Sequence, residues 1–171
     1  MFFDTYIRRR FVLGYICRLD ETSPIGSRAN ASAVLLGQSQ QPHTLGMLVG
    51  VIGELGERDC PEKALVCYSQ EQLGVTPLGP ADVGRRNYYS RRSGLMQIET
   101  FRVTAFDGEP RSTDFLAEPD WFPFNQLPTD RLCRDDRQCI TSALLGQQRY
   151  YLFHRETYPD GTSGHALVSI A

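Results

Sequence analysis

The sequence predicts an α+β domain, a β-sheet carrying two helices, on the strength of three stretches. Residues 53–75, GELGERDCPEKALVCYSQEQLGV, read as a loop, a helix and an abrupt stop. Runs of strand-forming residues bounded by turn chemistry lie at both ends of the chain, at 7–19 with 33–36, and at 149–156 with 165–170. A second helix is predicted over 137–145, behind the pair Asp135-Asp136.

In order, residues 7–19 contain the apolar run FVLGYIC and read as a core strand. The DETSPIGSRAN segment at 20–30 is turn chemistry, and residues 33–36 return as a strand. Residues 38–44 form a polar loop. In the helix that follows, Pro61 suits the first turn, where its missing N–H costs nothing. Asp59 is a capping candidate, and Gly74 suits the stop. Residues 76–84 are a Pro/Gly-rich connection, and residues 95–106 alternate well enough for a central strand. Asp107-Gly108-Glu109-Pro110 is a turn. Asp135 is a plausible N-cap for the second helix. Pro159-Asp160-Gly161 between two alternating runs predicts a closing hairpin.

At 171 residues the chain is long enough for one domain with one core, and residues 1–171 are read as such. Hydrophobic content of 41% fits a globular chain, and no apolar run approaches the ~20 residues of a membrane span. Net charge of −2 gives no global attraction to nucleic acid. Of the 18 basic residues, 17 are arginine, a bias that nucleotide usage in the source genome explains as well as phosphate binding does. The five cysteines lack zinc spacing and read as buried free thiols in a reducing, intracellular compartment. MFFDTYIRRR at the start argues against secretion. Its arginines admit a mitochondrial address besides a cytoplasmic one, and Asp4 does not favour it. His43, His154 and His165 are too dispersed to suggest a metal site and read as surface or packed residues.

Residues 53–75 resemble the Nudix box, G-x5-E-x7-R-E-U-x-E-E-x-G-U, with U aliphatic. Laid on it without gaps, the glycines fall on Gly53 and Gly74, the first glutamate on Asp59, and the Arg-Glu pair on Cys67 and Tyr68. The following aliphatic falls on Ser69, the paired glutamates on Glu71 and Gln72, and the last aliphatic on Val75. Further on, Trp121-Phe122, Leu127-Pro128 and Asp135-Asp136 are similar in order and spacing to the MutT-homologue subfamily that hydrolyses oxidised purine nucleoside triphosphates. Leu95-Met96-Gln97 resembles a Leu-Met-Asp strand start there. The resemblance implies a Nudix fold, a mixed β-sheet sandwiched between α-helices.

The same resemblance shows where the chemistry has changed. Residues i, i+3 and i+4 share a helix face, so carboxylates at Tyr68, Glu71 and Gln72 would together hold a hard cation such as Mg2+ or Mn2+ against a diphosphate. This chain places a phenol, one carboxylate and an amide there. Its box is degenerate, Glu71 being the catalytic remnant, with Asp59 and Glu57 as weaker candidates. Glu71 and Glu118 are the candidate metal ligands, although the ungapped position of the further carboxylate is Leu116. A Trp-Asn that reads the purine is replaced by Leu48-Val49, and a base-stacking tryptophan by Cys133. Asp135, Asp136 and Trp121 remain as candidate ligand-binding residues, the aspartates facing the base by resemblance.

Arg85-Arg86 and Arg91-Arg92 bracket Asn87-Tyr88-Tyr89-Ser90. They read either as a nucleic-acid surface or as an edge hairpin whose arginines cover tyrosine faces. Arg8-Arg9-Arg10 read likewise as a solvated strand entrance or a phosphate contact. Three functions follow. The first, adopted here, is a catalytically impaired Nudix-fold binding or structural module, with a protein or ribonucleoprotein complex as partner, no membrane, and no cofactor. The second is a divergent hydrolase of nucleoside diphosphate-linked substrates using Mg2+ or Mn2+. The third is a nucleotide sensor that does not cleave its ligand.

Overall fold

The computed structural model describes residues 7–19, 31–90, 94–157 and 163–171. The expected turns at 20–30 and 159–161, and Arg91 and Arg92, lie outside them.

The centre of the main sheet is β1 (Ile7–Leu19). One edge of β1 runs parallel to β7 (Gly94–Val103), with Phe11 opposite Ile98 and Ile16 opposite Val103. The other edge is shared. Its first half pairs antiparallel with β4 (Val51–Leu55) and its second half with β2 (Ala31–Ser39). β2 in turn carries the short β3 (Leu48–Val49) and β9 (Leu116–Pro123). Beyond β7 the sheet continues through β6 (Ala81–Ser90), β10 (Arg149–Thr157) and β11 (Ser163–Ile170). A two-stranded ribbon of β5 (Thr76–Leu78) and β8 (Ala105–Asp107) stands apart.

Alternation along β1 splits the core in two. Leu13, Tyr15 and Cys17 join Val34, Leu36, Ile140, Leu144 and Phe153 under α2 (Arg134–Leu144). Val12 and Ile16 join Leu35, Val51, Leu65, Leu73 and Phe101 under α1 (Pro61–Leu73). The sheet therefore lies between two helices, as the fold class requires. Leu65 sits on Gly14, where a Cβ would come within 2.5 Å of its side chain.

α1 begins with Pro61 and buries Leu65, Ser69, Gln72 and Leu73, a stripe at helical spacing. Gly74 takes φ 75°, and its N–H donates to the Gln70 carbonyl at 3.0 Å, the stop expected of a left-handed glycine. Several expectations are corrected. Cys60 rather than Asp59 occupies the N-cap. The Asp59 carboxylate instead accepts the Gly56 N–H at 2.7 Å, closing the loop before the helix. α2 starts earlier, with Cys133 as N-cap, so Asp135 lies in the first turn and makes no cap bond. Asp135 and Asp136 still favour that end of the helix through its dipole.

The connection at 76–84 contains β5, and the run at 95–106 breaks at Thr104 into β7 and β8. β6 is an interior strand, since β10 reaches it from a distant part of the chain and pairs parallel to it. Gly84, at φ 119°, lies so close to the Arg149 carbonyl that a Cβ could not fit between β6 and β10. Cys17 and Cys139 are buried, but Cys60 and Cys67 are exposed, because both lie outside the buried stripe of α1. Among the described residues no helix is long and apolar enough to cross a membrane.

Candidate functional site

A cavity of about 420 Å3 opens on the sheet between the two helices. β1 contributes Phe11 and Leu13 to its walls, and β7 contributes Met96 and Ile98. α1 contributes Tyr68, Glu71 and Gln72, and the start of α2 contributes Cys133, Asp135 and Asp136. Val49 lines it, while Leu48 is buried in the core behind. Ser39, Gln41 and Thr44 supply neutral polar groups.

Two of its lining residues, Arg86 and Asp136, belong to a buried triad with Tyr15. Arg86 of β6 is 3% exposed and Asp136 is 8% exposed. Arg86 donates through Nη1 to Asp136 Oδ1 and through Nη2 to the Tyr15 hydroxyl at 2.8 Å. Tyr15 donates onward to Asp136 Oδ1 at 3.1 Å. Burial pushes the Tyr15 phenol well above its ordinary range, so it stays neutral and donates. A buried charge is tolerable only when paired and hydrogen-bonded, and each member of this triad satisfies another.

Asp135 is the half-buried carboxylate of the cleft. His165 Nδ1 of β11 lies 3.4 Å from its Oδ2. The Tyr88 ring stacks on Phe153 with centroids 4.9 Å apart and meets the edge of His165 at 4.9 Å. Burial raises the Asp135 pKa, against the opposing pull of His165, Arg86 and a hydrogen bond from Tyr88. Burial likewise raises Cys133 to about 11, so a neutral thiol faces the cavity.

The α1 wall is tied to β4. Gln72 Nε2 donates to the Ile52 carbonyl at 2.7 Å, and the Ile52 N–H donates back to Gln72 Oε1 at 3.3 Å. The Tyr68 hydroxyl donates to the Glu54 carbonyl at 2.6 Å, and its ring lies flat on Gly53 where any Cβ would collide. Glu54 itself is held at the surface by both forks of Arg9, at 2.9 and 3.0 Å.

Solved structures share this fold. The mutator MutT protein from Bacillus halodurans superposes with a TM-score of 0.65 at 18% identity, covering 95% of this chain and 96% of that one. The NUDIX domain of Shewanella oneidensis NrtR, complexed with ADP ribose, gives 0.63 at 16% identity, covering 82% and 88%. A possible asymmetric diadenosine tetraphosphate hydrolase from Jonesia denitrificans gives 0.60 at 16% identity, covering 81% and 93%. The chain has the Nudix fold. The sequence matches no family model and no curated protein sequence.

Nudix hydrolases with an intact box present carboxylates on the α1 face for a divalent cation, and the residues here do not fit one. A hard cation needs free oxygen ligands, preferably anionic. The Gln72 oxygen is taken by Ile52. The Tyr68 phenol is spent on Glu54 and is pushed up by burial and by the nearby carboxylates, Glu71 first. Glu71 alone remains, exposed on the cavity wall. Glu57 and Asp59 lie in the exposed loop before α1 and do not line the cavity. Glu118 sits on β9 at φ 45° and accepts a 2.6 Å bond from Gln38, so it does not join Glu71 at the cavity. Among the described residues no three His, Cys, Asp or Glu side chains are grouped to hold a metal.

Of the candidate ligand residues, Asp135 and Asp136 meet at the cavity and Trp121 does not. Trp121 pairs with Leu35 across β2 and β9, packs into the α1-side core, and is covered by Arg18 with Cζ 4.1 Å from the ring centroid. Arg86, expected at a nucleic-acid surface, is buried and spent on Asp136; Arg85, half-buried, lies beside it on β6. Sequence reasoning missed Tyr15, Tyr88 and His165. The inward pair Arg86 and Tyr88, two apart on β6, was a legible signal, because strand alternation puts both on one face.

Proposed function

We propose that this protein is a catalytically impaired Nudix-fold binding module that holds a small ligand of the nucleoside or nucleotide class in its cleft without hydrolysing it. The observation that carries this reading is the state of the α1 wall. Two of the three side chains at the metal-ligand positions are hydrogen-bonded to β4, yet the cavity beside them stays open at about 420 Å3. That volume lies within the range of small-molecule sites. Asp135 offers an acceptor for ligand N–H groups, next to Asp136 of the buried triad. The NrtR domain complexed with ADP ribose supports a nucleotide-type ligand for the fold. The ribonucleoprotein role loses Arg86 from its surface, where Arg85 of the same cluster is half-buried.

The test is phosphate release from a panel of nucleoside triphosphates, oxidised purines included, with Mg2+ or Mn2+. No turnover is expected with either metal. Turnover that EDTA removes and Glu71→Gln abolishes would establish the divergent hydrolase instead.

A further inference from the structure

We infer that the cleft selects phosphate-free ligands, flat heterocycles or nucleosides bearing N–H donors, and rejects their phosphorylated forms. The inference rests on the binding-module reading and specifies its ligand. Four acidic residues line the cavity, Glu54, Glu71, Asp135 and Asp136, with the Glu54 carboxylate held at the surface by Arg9 and that of Asp136 paired with Arg86. Among the described residues the cationic lining is Arg86, with His165 when protonated.

Neither is available to a phosphate. Arg86 is buried and bonded to Asp136 and Tyr15, and His165 faces Asp135. Two further arginines near the α1 side are also engaged, Arg9 with Glu54 and Arg10 with Glu99 at 2.8 Å. Among the described residues, a phosphate entering along α1 therefore meets Glu71 with no free lining cation to offset it. The usual remedy, a divalent ion bridging carboxylate and phosphate, lacks ligands here for the reasons given above. Phosphate oxygens carry their charge at neutral pH and are costly to desolvate unpaired.

What the walls do offer is apolar surface from Phe11, Leu13, Val49, Met96 and Ile98. To this they add one carboxylate acceptor, Asp135, and the neutral groups of Gln41 and Thr44. A planar ring with N–H groups at one edge satisfies Asp135, and hydroxyls on its far side suit the neutral polar groups.

The experiment is calorimetric titration with matched sets of adenosine, guanosine and their 5′-mono- and triphosphates, in EDTA and again in Mg2+. Nucleoside binding is expected, with affinity falling at least about tenfold on adding the first phosphate and not recovering in Mg2+. Glu71→Gln, on the exposed face of α1, should recover several-fold of the monophosphate loss. Nucleotides binding as tightly as nucleosides would overturn the inference, as would a phosphate penalty that Glu71→Gln leaves intact, or absence of nucleoside binding. The binding-module reading fails separately, by metal-dependent turnover in the phosphate-release assay.

Discussion

Replacing Arg86 with methionine should be among the most damaging single substitutions in this protein, and the reason is electrostatic. The guanidinium is 3% exposed and donates to both Asp136 and Tyr15. Methionine is of similar length and apolar, so it leaves little void but abandons Asp136 as a buried carboxylate with only the Tyr15 hydroxyl to hold it. Breaking a buried pair in this way costs about 3–5 kcal/mol. At roughly 2–4 °C per kcal/mol for a chain of this size, Tm should fall by roughly 6–20 °C. Asp136→Leu alone strands the guanidinium and should cost a similar amount. In the double variant neither charge is left unpaired, so its loss should be smaller than the sum of the two by at least about 1.5 kcal/mol. Urea unfolding of the four proteins measures all three quantities. Additive losses, or a loss under about 1 kcal/mol for Arg86→Met, would refute the claim that the triad holds this part of the cleft together.

Three further outcomes are expected. Gln72→Glu restores a box carboxylate but removes the donor to the Ile52 carbonyl and sets two acceptors face to face. It should destabilise by about 1–3 kcal/mol in urea unfolding and bring no Mg2+-dependent phosphate release. Gly53→Ala forces a methyl into the Tyr68 ring, so it should displace the phenol from the Glu54 carbonyl, seen as a change in tyrosine near-UV dichroism together with a lower Tm. Asp135 has its folded pKa raised by burial, so its ionised form opposes folding above that pKa and the penalty vanishes below the unfolded value near ~3.9. Asp135→Asn should therefore raise Tm at pH 7, with the gain shrinking to nothing towards pH 4; a gain that persists or grows on acidification would show that burial does not govern this group.

Much of the architecture was legible because it is written in local chemistry. Pro61 and Gly74 bound α1 where the residue types require, and the alternating runs became β1, β7, β10 and β11. Elements were misjudged where a distant partner decided them. β6 was readable as an edge hairpin until β10 paired with it, and no pattern within residues 81–90 announces that neighbour. The site follows the same rule. Glu71 and the Asp135-Asp136 pair sit in motif positions and do line the cavity. Trp121 occupies its motif position too, yet the register of β9 on β2 turns it into the α1-side core. Tyr15, Arg86 and Asp136 lie on three elements far apart in sequence, so their union is a property of the folded sheet alone.

The parallel pairing of β1 with β7 bears on how the protein folds. It joins segments separated by about half the chain, and the parallel seam of β6 and β10 joins another distant pair. Hairpins such as β6–β7 and β10–β11 close short loops and form early, whereas both parallel seams wait on slow, entropically costly loop closure. The cleft draws its walls from β1, β6, β7, α2 and β11, so it is complete only after both seams have zipped. In refolding, helix and strand signals should recover first, and ligand binding should return last, at the rate of seam formation.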